Sequence, residues 1–280
     1  MIGSATTVNF GSRVATSILS LHERISLMTH FSPLDTLRNS ARHAYERGEF
    51  DQAFSLVERC FTTTPDDPRT RELLGLVQYS SGQFKASVSS LETASAQVPL
   101  SRAARVCLAH GYGRIDRRQL SYDLLLDLSI ESQMGVSLLL QVAAGMDQID
   151  RPDTAMTVCR RAVRLDPQNS QAFYDLGYYI GRCGGDINEI EPLAQRAIAL
   201  DPNAIRYRIG FAGLLNRNDR SAEAYELVRE LSVSEIESVS CGCCLDRLVS
   251  LYRRAGDQRR LIVCQNHLIM VELEGGKSSC

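Results

Sequence analysis

The sequence predicts an all-α protein, a solenoid of tandem helix-turn-helix repeats with an additional helix at its N-terminal end. The main observation is a period in the positions of proline. Pro65, Pro99 and Pro167 fit one register of 34 residues, and Pro202 fits it after one inserted residue. Because proline ends a helix, this spacing predicts that helices stop at regular intervals along the chain.

A repeated segment and the composition support the same fold class. The segment occurs as AVRLDP at 162–167 and as AIALDP at 197–202, each ending on a proline of that register. The chain has 280 residues, of which 44% are apolar and 23% charged, so it is neither disordered nor collagen-like. Its formal net charge of −2 gives no global basic excess for nucleic acid or an anionic membrane.

Within one period the pattern predicts a helix, a turn and a second helix. The second period shows it most clearly: Leu74-Gly75 lies in the first helix, Gly82 makes the turn, and Ala94 lies in the second helix. Glycine supplies the left-handed turn conformation, and small residues let two antiparallel helices approach closely. The same places hold small residues in the first, fourth and fifth periods.

The spacing of these residues resembles that of the tetratricopeptide repeat (TPR) family, over about residues 34–275. Phe50 and Phe84 match the family's aromatic position, and the prolines match its last conserved position. The resemblance implies a right-handed α-solenoid of about seven hairpins, with weaker patterns in the third, sixth and seventh. The units are placed at 34–67, 68–101, 102–135, 136–169, 170–204, 205–238 and 242–275.

The N-terminal arm, residues 1–33, carries an apolar stripe. Five apolar residues recur at spacings of 4, 3, 4 and 3 within a predicted helix over about 12–29, namely Val14, Ile18, Leu21, Ile25 and Met28. Two interpretations stay open: a cap packed on the first unit, or a self-association helix. Residues 276–280 are predicted to be a flexible tail.

In TPR proteins the first helix of each unit lines the concave face, so the resemblance implies which residues face that groove. Most are Arg or Tyr: an Arg fork matches a carboxylate, and Tyr gives a rigid contact surface with a polar tip. An alternative is a general preference for Arg, since Lys85 and Lys277 are the only lysines. The predicted groove residues are Arg38, Arg42, Tyr45, Arg69, Tyr79, His110, Arg114, Tyr174, Tyr178 and Arg182, followed by Arg206, Asn216 and Arg217 in later units.

No catalytic or cofactor-binding motif occurs in the sequence. There is no phosphate loop, nucleophile elbow or metalloprotease helix. Cys107 and His110 lie three apart on one predicted helix, but that geometry is poor for a thiolate nucleophile. Cys241, Cys243 and Cys244 form a cluster that could bind a soft metal with Cys264 and His267, yet the spacing matches no known zinc pattern. We therefore predict no enzyme activity, no cofactor and no metal.

The predicted function is a non-catalytic interaction scaffold or adaptor that binds a peptide or helix of a partner protein in its concave groove. Alternatives are a structural protein that dimerises through its N-terminal helix and, less favoured, an RNA-binding array. The nine cysteines predict reduced thiols in the cytoplasm. The sequence contains no run of 18 apolar residues, so no membrane-spanning helix is predicted. The N-terminal segment does not resemble a signal peptide and only faintly resembles a transit peptide.

Overall fold

The computed structural model describes residues 33–273, which form fifteen α-helices and no β-strand. The predicted all-α solenoid of hairpins is confirmed for these residues. Residues 1–32 of the N-terminal arm, with its predicted helix, and the C-terminal tail lie outside the described residues, and Pro33 begins the first helix. The helices are α1 (Pro33–Glu46), α2 (Phe50–Thr63), α3 (Pro68–Ser80), α4 (Phe84–Ser95), α5 (Arg102–Arg114), α6 (Arg118–Ile130), α7 (Val136–Gln148), α8 (Pro152–Leu165), α9 (Ser170–Arg182), α10 (Ile187–Leu200), α11 (Ile205–Arg217), α12 (Ser221–Val228), α13 (Val233–Glu237), α14 (Gly242–Ala255) and α15 (Gln258–Leu273).

Successive helices pair into seven antiparallel hairpins within the described range, and the short helix α13 links the sixth to the seventh. In each hairpin the first helix packs against its own second helix. First helices of neighbouring units also contact one another, whereas second helices contact chiefly the first helix of the next unit. The first helices α1, α3, α5, α7, α9, α11 and α14 therefore form the inner layer.

The turn inside each hairpin contains one residue with a positive φ, and these residues keep the period better than the prolines do. Gly48, Gly82 and Gly184 have φ values of 77°, 75° and 79°, as the sequence predicts. Asp116 and Asp150 occupy the same place in the third and fourth hairpins, with φ of 64° and 62°. Positions 48, 82, 116, 150 and 184 are each 34 residues apart, so all five hairpins share one turn geometry.

Small residues allow the helices to approach, as predicted. Ala94, Ala162 and Ala197 are fully buried at equivalent places on three second helices. At Gly75 in α3, a Cβ atom would lie 2.5 Å from Cγ of Leu91 in α4. A methyl group at that position would force the two helices apart.

Side-chain caps define where several inner helices begin. Asp67 accepts a hydrogen bond from the Thr70 amide at the start of α3, and Ser101 and Asn169 cap α5 and α9 in the same way. These caps satisfy amides that have no partner within the helix. None of the helices described, from α1 to α15, combines the length and apolar character needed to cross a bilayer.

The hydrophobic core of the described residues consists of four clusters of buried residues, and one of the boundaries between them lies inside α10. One cluster of buried residues runs through units three to five and ends at Ile190 in α10. The next begins at Ala194 of the same helix and continues through units six and seven. At this junction the backbones of α9 and α11 do not approach as those of other neighbouring inner helices do. We call it the unit five–six junction.

Candidate functional site

The predicted groove residues all lie on first helices of the hairpins, and the structure divides them into two groups. Those of units one to three contact other parts of the protein or lie exposed on its surface. Those of unit five line two cavities. The first group is Arg38, Arg42, Tyr45, Arg69, Tyr79, His110 and Arg114, and the second is Tyr174, Tyr178 and Arg182.

Arg38 is engaged in joining unit one to unit two. Its guanidinium donates to Oδ2 of Asp67 at 2.8 Å and also pairs with Asp35. Because Asp67 is the cap of α3, Arg38 holds the start of the next unit in place. Arg42 and Arg69 lie exposed on the same two units.

Tyr79 and His110 form a chain of hydrogen bonds across three inner helices. His110 Nε2 lies 2.8 Å from the carbonyl oxygen of Gln141, which can only accept, so Nε2 carries the proton. Nδ1 is then the acceptor for the Tyr79 hydroxyl, at 3.2 Å. Burial lowers the pKa of His110, so the ring is neutral, and both of its nitrogens are occupied.

Cys107, on the same helix as His110, has none of the properties of a nucleophile. Its thiol is buried, and burial raises its pKa to about 11. A reactive cysteine requires the thiolate, which an apolar environment disfavours. Nearby, the guanidinium of Arg114 lies over the ring of Phe84, 5.3 Å from its centroid.

At the unit five–six junction, long side chains bridge a gap between the inner helices. The ring of Tyr174 in α9 contacts that of Tyr207 in α11, with centroids 4.9 Å apart. Gly210 makes room for it, because a Cβ atom there would lie 2.3 Å from the Tyr174 hydroxyl oxygen. Tyr174 therefore reaches α11 across space that backbone packing fills elsewhere.

Two cavities adjoin this bridge and share Tyr174, Tyr178 and Arg247 in their walls. The first has a volume of about 310 Å³, and the described residues in its wall include three arginines and no carboxylate, so we call it the arginine cavity. Its lining residues are Tyr174, Gly177, Tyr178, Gly181, Arg182, Gly185, Ile187, Ile190, Ala194, Gly210, Phe211, Leu214, Arg217, Asn218 and Arg247. The second, of about 750 Å³, has both signs of charge, from Asp147, Asp175, Arg206 and Arg247, and we call it the mixed cavity.

The two carboxylates of the mixed cavity are perturbed by burial. Burial raises the pKa of Asp175 to about 6, against the opposing effects of a hydrogen bond from Gln171 and the charge of Arg206. Burial likewise raises the pKa of Asp147, although Arg182 pairs with it at 3.0 Å. Arg206 donates to the Tyr207 hydroxyl at 3.0 Å, which holds it at the edge of the cavity.

The fold was compared with known proteins. No protein-family model and no curated protein matches the chain. Among solved structures, "MamA RS-1 ArsTM double mutant" aligns with a TM-score of 0.51 and 15% identity, over 60% of this chain and 94% of that one. "Crystal structure of MamA" aligns with a TM-score of 0.50 and 17% identity, over 64% and 100%. MamA is a TPR protein.

The chain has the TPR fold. The resemblance noted in the sequence is thus confirmed for the fold. YrrB, described as "a TPR protein with an unusual peptide-binding site", also aligns, with a TM-score of 0.49 and 14% identity, over 66% of this chain and 94% of that one.

Several residues in or beside the two cavities were not predicted. Arg247 lies on α14, in the weakest of the repeat patterns, and Tyr207 and Asp175 were not assigned to the groove. Of the later candidates, Arg217 lines the arginine cavity, whereas Asn216 accepts hydrogen bonds from Ser221 and Arg254 in the outer part of its unit. One feature of the sequence could have pointed to this region: the extra residue between Pro167 and Pro202, which changes the register of the repeats at unit five.

The cysteine cluster lies at the rim of the mixed cavity. The sulfur atoms of Cys241, Cys243 and Cys244 lie within 4.8 Å of one another, and those of Cys241 and Cys243 are 2.8 Å apart. Neither residue considered as a further ligand joins this group. Cys264 is buried, which raises its pKa to about 12, and His267 Nε2 donates to the Val239 carbonyl oxygen at 2.9 Å.

Proposed function

We propose that the protein is a non-catalytic scaffold that binds a peptide segment of a partner protein at the unit five–six junction. The observation that carries this proposal is the pair of adjoining cavities beside Tyr174, on the inner face of the array. The two cavities share three wall residues, so an extended segment could place successive side chains in them. We further propose an adaptor role in the cytoplasm.

The earlier part of the groove offers less to a ligand. Tyr79 is hydrogen-bonded to His110, and Tyr45 packs against the core of units one and two. Substituting either tyrosine would disturb packing as well as binding. Tyr178 lines both cavities, which makes it a suitable contact residue, and its hydroxyl accepts a long hydrogen bond of 3.5 Å from Arg182.

The test is selection of peptides from a displayed library by the purified chain, followed by affinity measurement on the synthesised peptides. We expect Tyr178→Ala to weaken binding at least about tenfold, because a central tyrosine contact contributes on the order of 2 kcal/mol. The matched control is Tyr122→Ala on α6, a second helix that lines neither cavity. Failure to select any peptide, or equal binding by Tyr178→Ala and wild type, would contradict the proposal.

Self-association is a second candidate. The last helix described, α15, leaves Ile262, Ile269, Met270 and Leu273 exposed at the end of the array. The apolar stripe predicted within 12–29 would supply a complementary surface in another copy. Light scattering on the full chain and on a chain lacking residues 1–32 tests this, and a monomer in both cases would exclude it.

A further inference from the structure

The arginine cavity has an unbalanced charge. Among residues 33–273, its wall holds Arg182, Arg217 and Arg247 and contains no Asp or Glu. Arg182 is neutralised by Asp147 and Asp150, with which it pairs at 3.0 and 3.2 Å. The guanidinium groups of the other two arginines have neither an ion pair nor a hydrogen bond with any residue in the described range 33–273.

Arg217 and Arg247 come from different units but approach one another. Burial lowers the pKa of Arg217, and the charge of Arg247 lowers it further. Two like charges brought together without a counter-charge are unfavourable, and a bound anion would relieve that repulsion. The arrangement therefore selects for a negatively charged ligand group between them.

The local packing of α11 positions Arg247. Gly213 lies directly beneath its side chain, since a Cβ atom there would come within 2.9 Å of Arg247 Cδ. The Arg247 stem thus lies against the α11 backbone while its guanidinium reaches the cavity. Phe211 and Leu214 of α11 supply an apolar wall beside it.

The neighbouring mixed cavity provides an internal comparison. It shares Arg247, but its wall also holds carboxylates, namely Asp175 and Asp147, the latter paired with Arg182. An extended ligand that runs through both cavities would meet arginines alone in one and both signs of charge in the other. A ligand that occupied both adjoining cavities would continue past the arginines, and its anion would then come from a side chain rather than a chain end.

We propose that Arg217 and Arg247 bind the carboxylate of an Asp or Glu side chain within a partner peptide, whose apolar neighbours pack on Phe211 and Leu214. This inference rests on the proposed function and adds the chemistry of the partner. Each guanidinium fork can donate two hydrogen bonds to a carboxylate. Lysine would keep the charge but lose that geometry.

The experiment uses a peptide library displayed between flanking segments, so that no ligand has a free C terminus. We expect the wild-type chain to enrich peptides that contain Asp or Glu. The most enriched acidic peptide is then synthesised with both ends blocked, together with a version in which the acid is replaced by its amide. The amide is expected to bind about ten- to a hundredfold more weakly.

The same two peptides are measured on Arg217→Gln/Arg247→Gln, which keeps the side-chain stems. We expect this variant to weaken binding of the acidic peptide by a comparable factor and to bind both peptides about equally. The affinity of Arg247→Lys for the acidic peptide is expected to lie between that of wild type and that of the double Gln variant. The matched control is Arg164→Gln on α8, an exposed arginine outside both cavities, and it should bind like wild type.

Three outcomes would overturn the inference: enrichment without an acidic bias, equal binding of acid and amide to wild type, or a preference for acid that persists in the double Gln variant. In each of them the proposed peptide-binding function survives, because peptides are still selected. Selection of no peptide at all would overturn that function and this inference with it.

Discussion

Asp175 and His110 are buried titratable residues of the inner helices, and burial gives them stability effects of opposite sign with pH. The pKa of Asp175 is raised from 3.8 to about 6, so the folded state holds a proton that the unfolded state has lost. Its stabilising effect is complete below about pH 4 and is lost as the pH rises through 6. The pKa of His110 is lowered from 6.5, so its contribution is complete above that value and is lost as the pH falls.

The raised pKa of Asp175 means that its charged form destabilises the folded protein. We therefore predict that Asp175→Asn stabilises the protein at about pH 7.5 by on the order of 1–2 kcal/mol, because the buried charge is removed while a polar group remains. At about pH 4 the difference from wild type should disappear. His110 is present in both proteins, so its acid sensitivity cancels in the comparison. Urea unfolding at the two pH values measures the effect. A difference that is the same at both pH values would show that Asp175 is not destabilised by its charge.

The side-chain partners of the inner helices explain which parts of the site the sequence could predict. The TPR resemblance placed Tyr79 and His110 on the concave side, and both lie on first helices. It did not show that the Tyr79 hydroxyl meets His110 Nδ1, or that Nε2 meets Gln141. Tyr79, His110 and Gln141 follow one another at intervals of 31 positions, a spacing that reflects the stagger between adjacent units. Whether a groove side chain is free for a ligand depends on that stagger, which a repeat pattern does not specify.

At the scale of the element, the hairpin turns show why an exact residue pattern predicted only some repeats. A glycine in the sequence predicted the turns at Gly48, Gly82 and Gly184, whereas the third and fourth hairpins form the same turn with Asp116 and Asp150. Asp tolerates the left-handed conformation better than most residues with a Cβ, because its short side chain bonds locally. The geometry of the turn is thus more regular than its sequence.

The turn residues predict a pair of opposite stability changes. Asp219 (φ 59°) has no ion pair or hydrogen bond in the described range, so Asp219→Gly should raise the unfolding free energy by about 0.5 kcal/mol through relief of strain. Gly82→Ala should lower it by about 1 kcal/mol. The space around Gly82 is open, so only the backbone conformation is tested there. Chemical denaturation measures both changes, and two neutral results would show that these turns carry no strain.

At the scale of the whole molecule, we expect the unit five–six junction to separate two cooperative regions, because a boundary between buried clusters coincides there with the missing backbone approach of α9 and α11. In a linear array each unit is stabilised by its neighbours, so a gap in the core weakens the coupling across it. The buried clusters meet inside α10, between Ile190 and Ala194, and Leu214 of α11 touches both. The cavities proposed to bind a peptide lie at this weak junction, which links ligand binding to the coupling of the two regions.

Hydrogen exchange should reveal this division. Leu248→Ala removes a fully buried side chain of α14 and is expected to cost about 2–5 kcal/mol. We expect protection to fall in α11–α15 and to change little in α1–α8. The matched variant Leu139→Ala, fully buried in α7, should reduce protection in α5–α10 and leave α14 and α15 nearly unchanged. Uniform loss along the chain in both variants would show that the array unfolds as one unit.

A bound peptide that spans α9, α11 and α14 should raise protection on both sides of the junction, since it supplies the contacts that the inner helices lack there.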